Sequence, residues 1–123
     1  MSSKYVSHDV LPADEPLLSL PEAAERLGVV VTKVMDLLND HKIIAVQRDG
    51  VRYVPVAFFS KKKENTARFI PGVIALLSDG GYSDEEILTF LFTEDDTLPG
   101  RPIDALHGQL AREVMRRAQA MAV

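Results

Sequence analysis

Arg48 and Arg52 stand on either side of Asp49-Gly50, and Lys61, Lys62 and Lys63 follow a short way along the chain. Cations gathered in this way suit oxyanions, because a guanidinium offers phosphate a planar fork of donors and an ammonium a compact point charge. The chain has 123 residues and a formal net charge of −4, which taken alone argues against a polyanionic partner. That total conceals an uneven distribution: residues 1–40 carry −4, residues 41–68 carry +5 and residues 69–123 carry −5. The positive block holds Lys42, Arg48, Arg52, Lys61, Lys62, Lys63 and Arg68 against Asp49 and Glu64. A charge run by itself is ordinarily a solvated face, so its meaning depends on the elements beside it.

Catalysis needs a convergent acid, base, nucleophile or metal-ligand set, and the sequence offers none. With no cysteine there is no disulfide, thiolate ligand or thiol nucleophile, which fits a reducing compartment. His8, His41 and His107 lie far apart without HExxH-like spacing and read as surface or capping histidines. Asp79-Gly80-Gly81 and Leu98-Pro99-Gly100-Arg101 are turn chemistry, not a phosphate-binding loop. The expectation is a protein that is not an enzyme, with no cofactor and no metal.

The elements that would position the cations begin at Ser19. Ser19 followed by Glu22 is a capping box, so a first helix should start at about Leu20, bury Ala23, Ala24 and Leu27, and end at Gly28. Val29 fills the turn, and Thr32 is expected to cap or open a second helix with Val34, Leu37 and Leu38 on its inner face. Lys33, Asp36 and Asn39 are left outward. From Ile43 the pattern changes to β-formers, Ile44, Val46, Val51, Tyr53 and Val54, arranged around the strong hairpin signal Asp49-Gly50. Helix, tight turn, helix and hairpin make a winged helix-turn-helix over residues 18–60.

This run resembles the winged helix-turn-helix of excisionases and of the amino-terminal domains of MerR-type regulators. Those share an L-x-x-x-E-A-A-x-x-L-G-V pattern, a second helix with apolar residues like Val34 and Leu38, and a closing A-V-x-R like Ala45 to Arg48. With DGGYSDEEILTFLFT and AREVMRRAQAMA further on, nearly the whole chain resembles a small actinobacterial family of winged helix-turn-helix DNA-binding proteins with a helical carboxy-terminal extension. The resemblance implies that the partner is double-stranded DNA.

In such folds the second helix enters the major groove and the wing meets phosphate or the minor groove. The candidate DNA contacts are therefore Thr32, Lys33 and Asn39 on the second helix and Lys42 after it. Arg48 and Arg52 in the wing join them, with Lys61, Lys62 and Lys63 beyond it. Asp36 and Asp40 would repel phosphate, so strong base reading by this helix is not expected, although Asn39 can pair with adenine. The alternative for Arg48 and Arg52 is that they are solvated hairpin charges pairing with Asp49.

Residues 1–17 have no sustained periodicity and read as a flexible arm, with Ser2, Ser3 and Ser7 as candidate acceptors for a Ser/Thr protein kinase. Phe58 and Phe59 are assigned to packing, and residues 61–68 to a basic connection. Residues 69–123 should form a helical domain that packs on the first or makes a homodimer. Pro71 opens one helix, the capping box Ser83 and Glu86 a second, and Pro102 restarts helical structure. A last helix runs from about Gln109 with Leu110, Val114, Ala118 and Met121 inward. The fold class is mainly α with a small β-hairpin. No apolar run approaches the roughly 18 residues of a membrane span, so the protein is expected in the cytoplasm. The segment Leu91 to Val114 also resembles the partner-binding region of antitoxins, through Gly100, Arg101, Pro102 and Leu106. That gives an alternative from another class, a module holding a toxin enzyme.

Overall fold

The structure, a computed structural model, describes residues 6–7, 9–59, 69–98 and 100–122. In chain order these form β1 (Val6–Ser7), β2 (Leu17–Ser19), α1 (Leu20–Leu27), α2 (Val31–Asn39), β3 (Ala45–Arg48) and β4 (Val51–Pro55). A 3₁₀ turn at Val56–Phe58 follows, then α3 (Ile70–Asp79), α4 (Asp84–Phe92), α5 (Pro102–Ala105) and α6 (Ala111–Met121).

Every helix start leaves backbone N–H groups without partners, and the chain meets that need twice with the same device. Ser19 Oγ accepts from the Glu22 N–H at 3.2 Å while the Glu22 carboxylate accepts from the Ser19 N–H at 2.8 Å, opening α1. Ser83 and Glu86 repeat the exchange at 3.2 and 2.9 Å to open α4. Gly28 ends α1 at φ 71°, a conformation that costs glycine little. The expected cap at Thr32 is not made. Helix α2 starts one turn position earlier, with Val30 at its N-cap and no side-chain cap hydrogen bond, so Thr32 lies inside the first turn.

Asp49 and Gly50 both have positive φ, 52° and 79°, which gives the turn the twist that joins β3 to β4. Val46 pairs with Tyr53, Gln47 with Arg52 and Arg48 with Val51. The hairpin is not alone: β2 lies antiparallel to β4 and β1 parallel to β3, giving the order β1-β3-β4-β2. Strand β1 lies wholly within the stretch expected to be a free arm, and β2 begins at its last residue, Leu17. That expectation fails for its described part. Leu11 and Glu15 are 8% exposed, and β2 begins at Leu17. Composition misses this because the contacts that order the segment lie 35 and more residues away. Ser2, Ser3, His8, Lys61, Lys62 and Lys63, with the rest of the basic connection, lie outside the described residues, as does the side chain of Ser7.

One apolar core runs through both halves. Ala23, Ala24 and Leu27 of α1 and Val34 and Leu38 of α2 pack with Val46, Val54, Phe58 and Phe59. The core continues into Ile70, Val73, Ile74, Leu77, Ile87, Leu88 and Leu91. The Phe58 and Phe92 rings meet edge-on, with centroids 5.9 Å apart. His107 Nε2 donates to the Ala57 carbonyl at 2.6 Å, and His41 Nε2 lies 2.6 Å from Asp84 Oδ1. The last helix needs one correction: it begins at Ala111, so Leu110 is its N-cap, outside the helical register, and is 40% exposed. Val114 and Ala118 are fully buried. Among the described residues no helix is long and apolar enough to cross a membrane.

Candidate nucleic-acid interface

The inner face of α2 is fixed by Val34 and Leu38, and the geometry of a helix then sends Thr32, Lys33, Asp36 and Asn39 to the opposite side. All four are exposed. Helix α2 closes with a left-handed residue, His41 at φ 58°; the Lys42 N–H bonds the Leu37 carbonyl at 2.9 Å and the His41 N–H bonds the Leu38 carbonyl at 3.1 Å. Both carbonyls are thereby satisfied, and Lys42 emerges exposed at the start of the run into β3. Asp84, at the start of α4, holds the His41 ring, so the carboxy-terminal half steadies the end of α2.

The two hairpin arginines have different fates. Arg52, half-buried on β4, reaches back to α2, where its Nη2 lies 3.4 Å from Met35 Sδ. The hairpin therefore leans on α2 and brings a cation beside its outward face. Arg48 was expected to be exposed and available, but its side chain is only 23% exposed and fully engaged. Its Nε donates to the Asp9 carboxylate, Nη2 to the Pro12 carbonyl at 2.8 Å and Nη1 to the Ala13 carbonyl at 3.3 Å. The hydrogen bond to Asp9 raises the Arg48 pKa above its ordinary value. Neither the solvated pairing with Asp49 nor a free phosphate contact describes it. Arg48 ties the amino-terminal segment to the hairpin.

Exposed Glu22 and Glu25 on α1, Asp36 on α2 and Asp40 at its C-cap make the helical part of the surface mixed in charge. Three consecutive valines, Val29, Val30 and Val31, are 40%, 66% and 40% exposed at the turn between the two helices. Only Val29 is accounted for by the turn itself. An apolar residue at the N-cap, as Val30 is here, departs from the usual Ser, Thr, Asp or Asn. Asp9 and Glu15 were missed because partners 39 and 86 residues away leave no local pattern.

The residues behind the antitoxin resemblance turn inward. Arg101 pairs with Glu15, which is buried, and with Asp104 at 2.9 Å, and its guanidinium lies 5.2 Å from the centre of the Phe92 ring. Pro102 and Leu106 are buried, and Gly100 bridges to Asp95.

Family models match both halves. One described as "DNA-binding protein Rv2175c, wHTH domain" covers residues 5–59, and one described as "Rv2175c C-terminal domain of unknown function" covers residues 67–122. The chain is 44% identical over 126 residues to the DNA-binding protein Rv2175c of Mycobacterium tuberculosis (strain ATCC 25618 / H37Rv), across 93% of this chain and 86% of that protein. Among solved structures, the NMR structure of Rv2175c superposes with a TM-score of 0.85 at 43% identity, covering 96% of this chain and 88% of that one. With both halves matched in order and the helix-turn-helix and hairpin in place, the chain belongs to the Rv2175c family, an actinobacterial family of winged helix-turn-helix DNA-binding proteins.

Proposed function

We propose that this protein binds double-stranded DNA in the cytoplasm, in a regulatory or architectural role and without catalysis. Helix α2 enters the major groove, and the hairpin meets the adjoining backbone. The observation that carries this is the docking of Arg52 against Met35, which sets a hairpin cation beside the outward face of α2. Thr32, Lys33 and Asn39 are the groove-facing residues, and Lys42, Arg52 and Lys61 to Lys63 are the phosphate contacts. Arg48 acts on DNA only indirectly, by holding the hairpin. Binding is electrostatic in the main and modest in affinity, because Glu22, Glu25, Asp36 and Asp40 offset the cations on the same domain. The name of the mycobacterial relative, a DNA-binding protein, supports the same partner.

The test is a titration of duplex DNA by fluorescence anisotropy at several salt concentrations. Log affinity should fall linearly with log salt, by about 0.9 for each phosphate contact. A folded protein with no salt-sensitive affinity for any duplex would sink the proposal.

A further inference from the structure

The surface at the turn between α1 and α2 is built against local stability. Val30 occupies the N-cap of α2, where Ser, Thr, Asp or Asn would satisfy a backbone N–H. Serine does this at α1 and α4, with full capping boxes, while α2, α3, α5 and α6 open without a side-chain cap; what sets α2 apart is the degree of exposure of its N-cap side chain. There a β-branched apolar side chain is 66% exposed, between two more valines each 40% exposed. Val30 gains little from burial in the free protein, and the cap is forgone. Departures from local rules of this kind are expected where a surface serves recognition.

The position of the valines indicates what covers them. They continue directly into Thr32 and Lys33, on the outward face of the helix against which Arg52 leans. In a helix-turn-helix, the amino-terminal residues of the second helix are those that reach base edges. The apolar group displayed in the major groove is the thymine 5-methyl. We propose that Val30, with Val31 beside it, reads thymine by methyl contact, giving α2 a sequence preference that Lys33 and Asp36 do not supply through hydrogen-bond forks. This inference rests on the DNA-binding proposal above and names the base class that site prefers.

Short random duplexes are selected on the full-length protein. The enriched sequences are then made twice, once with thymine and once with deoxyuridine, which lacks the methyl and keeps the same hydrogen-bonding edge. The parent protein should bind the thymine form more tightly by about fourfold for each methyl buried, the scale of one methylene-sized group removed from water. Val30→Ala should narrow the difference between the two forms in part, since alanine keeps one methyl and Val31 remains. Val30→Ser should narrow it further while melting no lower than the parent, since serine restores a capping side chain, and this separates loss of contact from loss of fold. Equal affinity of the parent for the two forms would overturn the thymine assignment and leave DNA binding standing. No salt-sensitive binding to the selected duplexes would overturn both. Self-association seen by light scattering and abolished by Val30→Ser would assign the valines to a second copy of the chain instead.

Discussion

Arg48 and Arg52 are the same residue type four positions apart in one hairpin, and their surroundings differ. Replacing Arg48 with Ala removes hydrogen bonds to Asp9, Pro12 and Ala13. It is expected to cost about 1–3 kcal/mol, the scale of bonds to a charged group. Urea denaturation checks this, and in DNA titrations of the folded variant the salt slope should stay near that of the parent. Arg52→Ala should reverse the pattern, with stability nearly unchanged and a slope smaller by about one. A shallower slope for Arg48→Ala at unchanged stability would return it to the phosphate contacts.

Asp104 is one of three carboxylates, with Glu22 and Asp95, held below the ordinary range and so contributes to the pH dependence. It accepts from Arg101 at 2.9 and 3.2 Å, and these bonds hold its carboxyl below the ordinary carboxylate range. A pKa lowered in the folded state contributes stability that is complete above the unfolded value, about 4. That stability is lost as pH falls through the folded value. Asp104→Asn should therefore flatten the fall in stability below about pH 4 and leave the neutral region parallel to the parent. Equal steepness of the two acid limbs would rule out this role. Residue identity alone could not have separated these arginines, because what distinguishes them is a carboxylate from a distant segment.

At the scale of elements, the sequence is most legible where the stabilising chemistry is local. The capping boxes at Ser19 and Ser83, the left-handed Gly28 and the Asp49-Gly50 turn each involve residues within a few positions, and each appears in the expected place. It is least legible where a boundary depends on tertiary contacts, as at α6. Leu110, Val114, Ala118 and Met121 share helical spacing in the sequence, yet the helix starts at Ala111. Leu110→Ala should accordingly be nearly neutral, whereas Val114→Ala should cost about 2–3 kcal/mol from two buried methyls and the cavity they leave. A larger loss at Leu110 than at Val114 in chemical denaturation would contradict this register. The amino-terminal segment makes the same point. Its polar composition suggests a free arm, but Leu11 and Glu15 are buried, and β1 and β2 flank the hairpin. Deleting residues 1–15 should lower the thermal midpoint, and an unchanged midpoint would show that these contacts add nothing.

At the scale of the molecule, the question is whether residues 9–59 and 69–122 behave as two units or one. The matched family models divide the chain between residues 59 and 67, and the candidate DNA contacts lie in the first unit and the connection. The physical contacts nevertheless cross that division. Phe58, fully buried, meets Phe92 edge-on; His107 donates to Ala57; Arg101 pairs with Glu15; and Asp84 holds His41 at the end of α2. A helical domain joined in this way supports the end of α2. The coupling should make unfolding cooperative, so calorimetry of the full chain should show one transition with equal calorimetric and van't Hoff enthalpies. Phe58→Ala, made in the first unit, should cost about 3–5 kcal/mol. It should speed amide hydrogen exchange in α2 and α4 together, because the ring's loss is felt on both sides. Two resolved transitions, or faster exchange confined to the first unit, would show that the halves fold independently and that the carboxy-terminal helices do not steady α2.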